Sequence, residues 1–110
     1  MPDRRVITVD AHTRMTCPEL LFQPSLWHKT FYLKSIQAIA WESISASDVD
    51  VRNELLKNII LSGGSSMNEY LPDRLKTEIK ALASASTEVK VVATADRKYA
   101  VWKGGSVLAS

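Results

Sequence analysis

Apolar positions along this chain recur with two different periods, and the switches between them mark out its elements. Arg5-Val6-Ile7-Thr8-Val9 is rich in β-branched residues and suits a strand, and a return strand near Arg14-Met15-Thr16 would close a hairpin. Cys17-Pro18-Glu19-Leu20-Leu21-Phe22 reads as a short helix with proline in its first turn. Gln23-Pro24-Ser25 ends it, because the residue before a proline is driven out of helical dihedrals. From about Thr30 to Ser45, Tyr32, Leu33, Ile36, Ala40 and Ile44 fall at helical spacing, while Phe31, Ala38 and Trp41 cover a second side. That helix is expected to bury more than one face. Ser47 and Asp48 are cap candidates for the next helix, with Asp48 and Asp50 at its positive end and Lys57 at its negative end. Val51, Leu55 and Leu56 are expected to face inward.

Asn58-Ile59-Ile60-Leu61 then has the character of a buried strand, followed at once by Ser62-Gly63-Gly64-Ser65-Ser66. The next helix has Pro72 in its first turn and an apolar stripe of Leu71, Leu75, Ile79 and Leu82, with Arg74 and Glu78 spaced for an i,i+4 attraction. A link of small polar residues, Ser84-Ala85-Ser86-Thr87, leads to the strand Glu88-Val89-Lys90-Val91-Val92. Strand, glycine turn, helix and strand in that order make a crossover that places two strands parallel, so the fold class expected is α/β, with short strands alternating with helices. No internal repeat or low-complexity tract interrupts the pattern.

Composition narrows the function classes. A length of 110 residues allows at most one ordinary domain, or part of one, and is too short for a two-lobed enzyme. No apolar run approaches the length that crosses a bilayer, so no membrane role is expected. With 14 basic and 12 acidic residues the net charge is only +2, and the charges are scattered; no stripe follows phosphates and no nucleic-acid partner is implied. The opening Met1-Pro2-Asp3-Arg4-Arg5 lacks a signal-peptide core, and the single Cys17 forms no internal disulfide, so a cytoplasmic location is expected.

The chemistry concentrates at one turn. Gly63 and Gly64 lack Cβ atoms, can adopt dihedrals closed to other residues, and would let backbone approach a ligand beyond the carboxyl end of a strand, where α/β sheets bind ligands. The turn carries neither the Lys-Ser/Thr pair of a P-loop nor a dinucleotide-binding fingerprint. His12 and His28 lack zinc-site spacing and are read as surface residues, and Cys17 as a small half-buried residue. Asp48 and Asp50 are read as helix-capping acids. No base, nucleophile and orienter assemble from the remaining polar residues, so the chain is not expected to be an enzyme by itself.

Leu61-Ser62-Gly63-Gly64-Ser65-Ser66-Met67 resembles the adenosine motif of the actin family. It stands among other matches in the family's order: Pro2-Asp3, Val6-Ile7-Thr8, Cys17-Pro18-Glu19 with Leu21-Phe22-Gln23-Pro24-Ser25, Asp48-Val49-Asp50-Val51-Arg52, Asp73-Arg74, Arg97-Lys98-Tyr99 with Val101-Trp102, and Gly104-Gly105-Ser106 with Leu108-Ala109-Ser110. The resemblance covers essentially the whole chain and implies part of the ribonuclease H-like/actin ATPase fold. Residues 1–29 would be a hairpin and short helix at the end of the outer subdomain of the second lobe. Residues 30–98 would form the α/β portion of the inner subdomain, and 99–110 the start of the return to the first lobe.

The resemblance implies that Gly63 and Gly64 bring backbone near the phosphates and ribose of a nucleotide. Ser65 would stand at the family's Thr position, Met67 beside the adenosine, and the stem and ammonium of Lys98 against it from another loop. ATP or ADP with Mg is the implied cofactor of the full-length family. The two Asp-Gly turns that grip phosphates and metal, and the residues that position the attacking water, do not fall within these residues. The expectation is therefore the adenosine-side piece of an actin-like protein, binding nucleotide weakly or not at all by itself and hydrolysing none. Asn68 replaces the Tyr that covers the base in actins, which weakens stacking there.

Implied partners are actin-like subunits or actin-binding proteins, with a cytoskeletal location. Asp48, Val49, Asp50, Val51 and Arg52 match a segment that lies at a contact along the family's filament. Leu26 to Lys34 replaces a glycine-containing loop; Trp27, Phe31 and Tyr32 within it are read first as core and second as a partner contact. Ser35-Ile36-Gln37-Ala38 stands where actins carry Gly-Ile-His-Glu. The alternative function is an interaction module without nucleotide, presenting Trp27 to Ala46 and Asp48 to Lys57 to another protein. A sheet without neighbours would also expose edges open to self-association.

Overall fold

The computed structural model describes residues 5–27 and 32–110, which divide between two compact units, Met1–Ile39 and Ala40–Ser110. In the first unit the expected hairpin is replaced by helix. Residues 5–9 form no strand, with Val6 92% and Ile7 63% exposed, and Arg14-Met15-Thr16 lies inside α1 (Ala11–Glu19). The reason is local satisfaction: a β-branched run becomes a strand only when a partner takes up its backbone groups, whereas here the helix closes its own. The Asp10 side chain caps α1 by accepting the Thr13 amide at 2.7 Å. The Thr13 side chain and amide together hold the exposed Asp10 carboxyl below its usual range.

Pro18 stands in the last turn of α1 and not in the first turn of a new helix. Beyond it the chain turns tightly, with Phe22 N–H donating to Glu19 O at 3.0 Å and Gln23 N–H to the same carbonyl at 2.8 Å. Phe22, 6% exposed, is the buried apolar side chain among the described residues of this unit, and the bonds around it fix its neighbours. Ile36 N–H donates to Leu21 O at 2.9 Å, and Gln37 Nε2 donates to Phe22 O at 3.0 Å.

α2 (Ile36–Ala46) begins later than the pattern suggests, leaving Tyr32–Ser35 outside it, while Thr30 and Phe31 lie outside the described residues. Ile44 is its one buried residue, and Ile39 is 55% exposed, so the expected burial of two faces does not occur. α3 (Val49–Lys57) starts as expected, Asp48 capping it by accepting the Asp50 amide at 3.4 Å. Of its three expected inward residues only Leu56 is buried; Val51 and Leu55 stay exposed.

The centre of the second unit is a parallel strand pair, β1 (Ile59–Ile60) and β2 (Val91–Val92), in register Ile59 with Val91 and Ile60 with Val92. α4 (Leu71–Leu82) crosses between them and packs against β2, with Pro72 in its first turn. Leu71, Leu75 and Ile79 form its buried stripe, and Leu56 and Val89 are buried in the same unit. Leu82, the expected fourth member, is 45% exposed. Arg74 Nε meets Glu78 Oε1 at 2.8 Å, the i,i+4 pair the spacing suggests. Parallel strands joined through a helix confirm the α/β class.

Ile79 is wholly buried, so Ile79→Ala removes packed methyl groups and is expected to cost about 2–5 kcal/mol. Leu82→Ala, at a half-exposed position, should cost clearly less. Urea unfolding followed by circular dichroism reads both, and equal losses would contradict the placement of the core.

Candidate functional site

Because the strands run parallel, the segments leaving their carboxyl ends emerge on the same side, and both carry residues the sequence singled out. β1 passes through Leu61 and Ser62 into Gly63, whose φ of 94° and ψ of 161° lie in a region open essentially to glycine alone. A 3-10 turn, Gly64–Met67, follows. β2 passes through Ala93 to Asp96 into a second 3-10 turn, Arg97–Tyr99.

The two turns are bonded to each other. Gly63 N–H donates to Arg97 O at 3.0 Å, and Arg97 Nε donates back to Ser66 O at 2.8 Å. Arg97 Nη1 also reaches Thr94 O at 3.0 Å, so the 8% exposed side chain spans both segments. Ser66, buried, folds its hydroxyl onto Gly63 O at 2.6 Å and tightens the glycine turn from within.

This frame brings Gly63, Gly64 and Lys98 together. A Cβ on Gly64 would sit 4.0 Å from Lys98 Cε, an ordinary contact, and one on Gly63 would meet nothing within 4 Å. The Lys98 ammonium lies 5.3 Å from the Tyr99 ring centroid, close enough for a cation–π attraction. Ser65 and Met67 are exposed on the glycine turn. Asn68 closes the glycine turn ahead of α4: its Oδ1 accepts the Tyr70 amide at 3.0 Å, while the Tyr70 side chain stays exposed.

Arg97 and Ser66 are the residues sequence reading missed. Their type gave no signal, since arginine and serine are mostly surface residues. Only the position of Arg97 directly before Lys98 pointed to it.

Just past the second turn, α5 (Ala100–Ala109) starts, and Lys103 Nζ returns to Asp96 Oδ2 at 2.5 Å. That ammonium, with the Thr94 hydroxyl next in effect, holds the exposed Asp96 carboxyl below its usual range. α5 runs straight through Gly104 and Gly105. A polar depression of about 370 Å³ lined by Asn53, Lys57, Ser86, Thr87 and Glu88 lies at the opposite, amino ends of the strands. The Lys57 ammonium is there 4.0 Å from both Glu54 and Glu88, and none of the glycine-turn residues lines it.

The remaining candidates of the second unit are not drawn to the turns. Asp48 to Arg52 lie on the cap and first turns of α3, where Arg52 Nε donates to Ser47 O at 2.9 Å. Trp27 is 75% and Tyr32 104% exposed, which overturns the core reading for both; Phe31 and His28 lie outside the described residues. Cys17 is exposed and not half-buried, and His12 is at the surface as expected.

Gly63→Ala forces a side chain into the glycine-only region and is expected to cost about 1–3 kcal/mol, although space is free around it. Gly64→Ala should stay within about 0.5 kcal/mol. Chemical denaturation of the two variants checks the contrast, and similar stabilities would show that the turn conformation is different. For Asp96 the folded value is depressed, so the tie to Lys103 is complete above the ordinary value of 3.8 and is lost as pH falls through the lower folded value. Lys103→Met should move the Asp96 midpoint up towards 3.8 in a carboxyl-carbon NMR titration. An unmoved midpoint would rule the contact out in solution.

Among the described residues no group of three or more His, Cys, Asp or Glu could hold a metal ion, and no helix is long and apolar enough to cross a membrane. The family model described as Actin matches residues 1–110, in agreement with the ordered motifs and with the α/β strand pair. The match takes in both turns and every element around them: this chain belongs to the actin family.

Proposed function

We propose that these residues carry the adenosine-side half of an ATP-binding site in an actin-like protein, within a ribonuclease H-like/actin ATPase fold. The observation that supports the reading is the placement of the Lys98 stem against Gly64, with Gly63 uncrowded beside it. A nucleoside fits that surface chemically. Bare backbone at the glycines accepts a close ribose or phosphate, and Met67 and the Lys98 stem offer apolar area to a base. When bound, the nucleotide supplies its phosphates as the anionic group; this chain's residues bind and orient the nucleoside end.

Magnesium does not fit the residues present, since the glycine turn has no carboxylate among Gly63, Gly64, Ser65 and Met67. No step is routed through it. Hydrolysis is not assigned to these residues, because none of them is a carboxylate or imidazole that could activate water. Partners of the reading are actin-like subunits or actin-binding proteins in the cytoskeleton of the cytoplasm, with Asp48, Val49, Asp50 and Val51 exposed to meet them. A second reading, partner capture without nucleotide, is favoured by the exposed Trp27 and Val49.

Nitrogen-15 NMR titration of the 110-residue chain with ATP, with and without magnesium, separates the two. The half-site reading expects shifts at the Gly63, Gly64 and Lys98 amides with a Kd on the order of 1 mM, about −4 kcal/mol, little changed by magnesium. Lys98→Ala should weaken binding about two- to fivefold, the worth of an exposed lysine–ring contact of roughly 0.5–1 kcal/mol. Silence at those three amides favours the interaction module, and submicromolar affinity overturns the half-site.

A further inference from the structure

Arg97 is a buried cation whose guanidinium partners among the described residues are carbonyl oxygens, those of Ser66 and Thr94, and not carboxylates. Its acidic neighbour Asp96 turns outward to Lys103. Burying a charge on carbonyls alone is a costly way to close two turns, and a small polar residue could close either one. What a guanidinium adds is a rigid planar fork: Nε and Nη1 fix two acceptors on different segments at a set angle, which a lysine ammonium on a flexible stem cannot do.

The backbone closes the same circuit. The carbonyl of Arg97 itself accepts the Gly63 amide, so the dihedrals of the glycine turn and the start of the Arg97–Tyr99 turn are set together. Lys98 is the very next residue. Where its stem meets Gly64 is therefore decided by how Arg97 is held.

We infer that Arg97 is a positioning residue for nucleoside binding: without touching the ligand, it sets the distance between Lys98 and the Gly63–Gly64 turn. This rests on the adenosine-side reading, and the test separates the two. Four chains are compared: the unaltered one, Arg97→Lys, Lys98→Ala and the double variant.

In the absence of ligand, amide hydrogen exchange is followed at Gly63, which donates to Arg97, and at Ile79 in the core. Arg97→Lys keeps the charge and loses the fork. It should speed exchange at Gly63 about tenfold, as expected for losing roughly 1.4 kcal/mol of local protection, and leave Ile79 within twofold. Equal acceleration at both sites, or none at Gly63, overturns the inference.

With ATP as probe, Arg97→Lys should weaken binding about threefold when Lys98 is present and less than twofold when residue 98 is alanine, because partners acting as a unit are not additive. The same loss in both backgrounds means that Arg97 acts independently of Lys98 and overturns the inference. If the unaltered chain binds no ATP, the adenosine-side reading fails, and the ligand-free exchange still decides whether Arg97 holds the two turns. Arg97→Ala, should it fold, is expected to speed exchange at Gly63 at least as much as Arg97→Lys; an effect smaller than that of lysine counts against the fork.

Discussion

Everything in the second unit depends on the parallel pairing of two very short strands. Two residues from each make the ladder, and the backbone bonds from Ile59 to Lys90 O and from Leu61 to Val92 O extend it at either end. A pairing this short does not hold alone. α4 supplies what it lacks, laying Leu71, Leu75 and Ile79 against β2. Parallel direction then has a chemical consequence that an antiparallel hairpin could not have. Both strands end on the same side, so a glycine turn and a lysine-bearing turn, distant in sequence, become neighbours.

At that edge the division of labour among residue types follows from their covalent structure. Gly63 is needed for its backbone, while Gly64 has room for a side chain and lies beside the Lys98 stem. Ser66 and Arg97 work beneath them as fasteners, and Ser65, Met67 and Lys98 remain on the outside. The exposed set is small, and in the proposed reading it addresses one end of a ligand only. That is consistent with a half-site, in which the recognising surface is prepared here and the phosphates are left to groups elsewhere in an actin-like protein.

How much of this was legible in the sequence depends on whether the deciding interaction was local. The cap at Asp48, the Pro72 start, the Leu71, Leu75 and Ile79 stripe, and the Arg74–Glu78 pair are all set within a turn or two, and all appear where the pattern puts them. The glycine turn was also legible, because a strand followed by two glycines leaves few conformations. Arg5–Val9 failed for the opposite reason: strand character needs a neighbouring strand, and local pattern cannot show whether one is there. Val51, Leu55 and Leu82 carry the same apolar signal as their buried neighbours, and only the packing of whole elements tells them apart. Arg97 is the sharpest case. Its role is written in a carbonyl across the chain, and an arginine next to a lysine looks like solvated surface until that carbonyl is seen.

α5 shows how differently held a neighbouring element can be. It has ten residues, two central glycines and no buried side chain, below the length at which a helix persists in water without help. The help comes from its first turn, where it continues directly from the Arg97–Tyr99 turn and where Lys103 reaches back to Asp96. Both charged groups of that contact are about half exposed, so dissolved ions screen it. Ionic strength thus acts unevenly on this molecule: it leaves the Ile79 core and the carbonyl-held Arg97 fork almost untouched, and it loosens α5 from the end nearest Lys98.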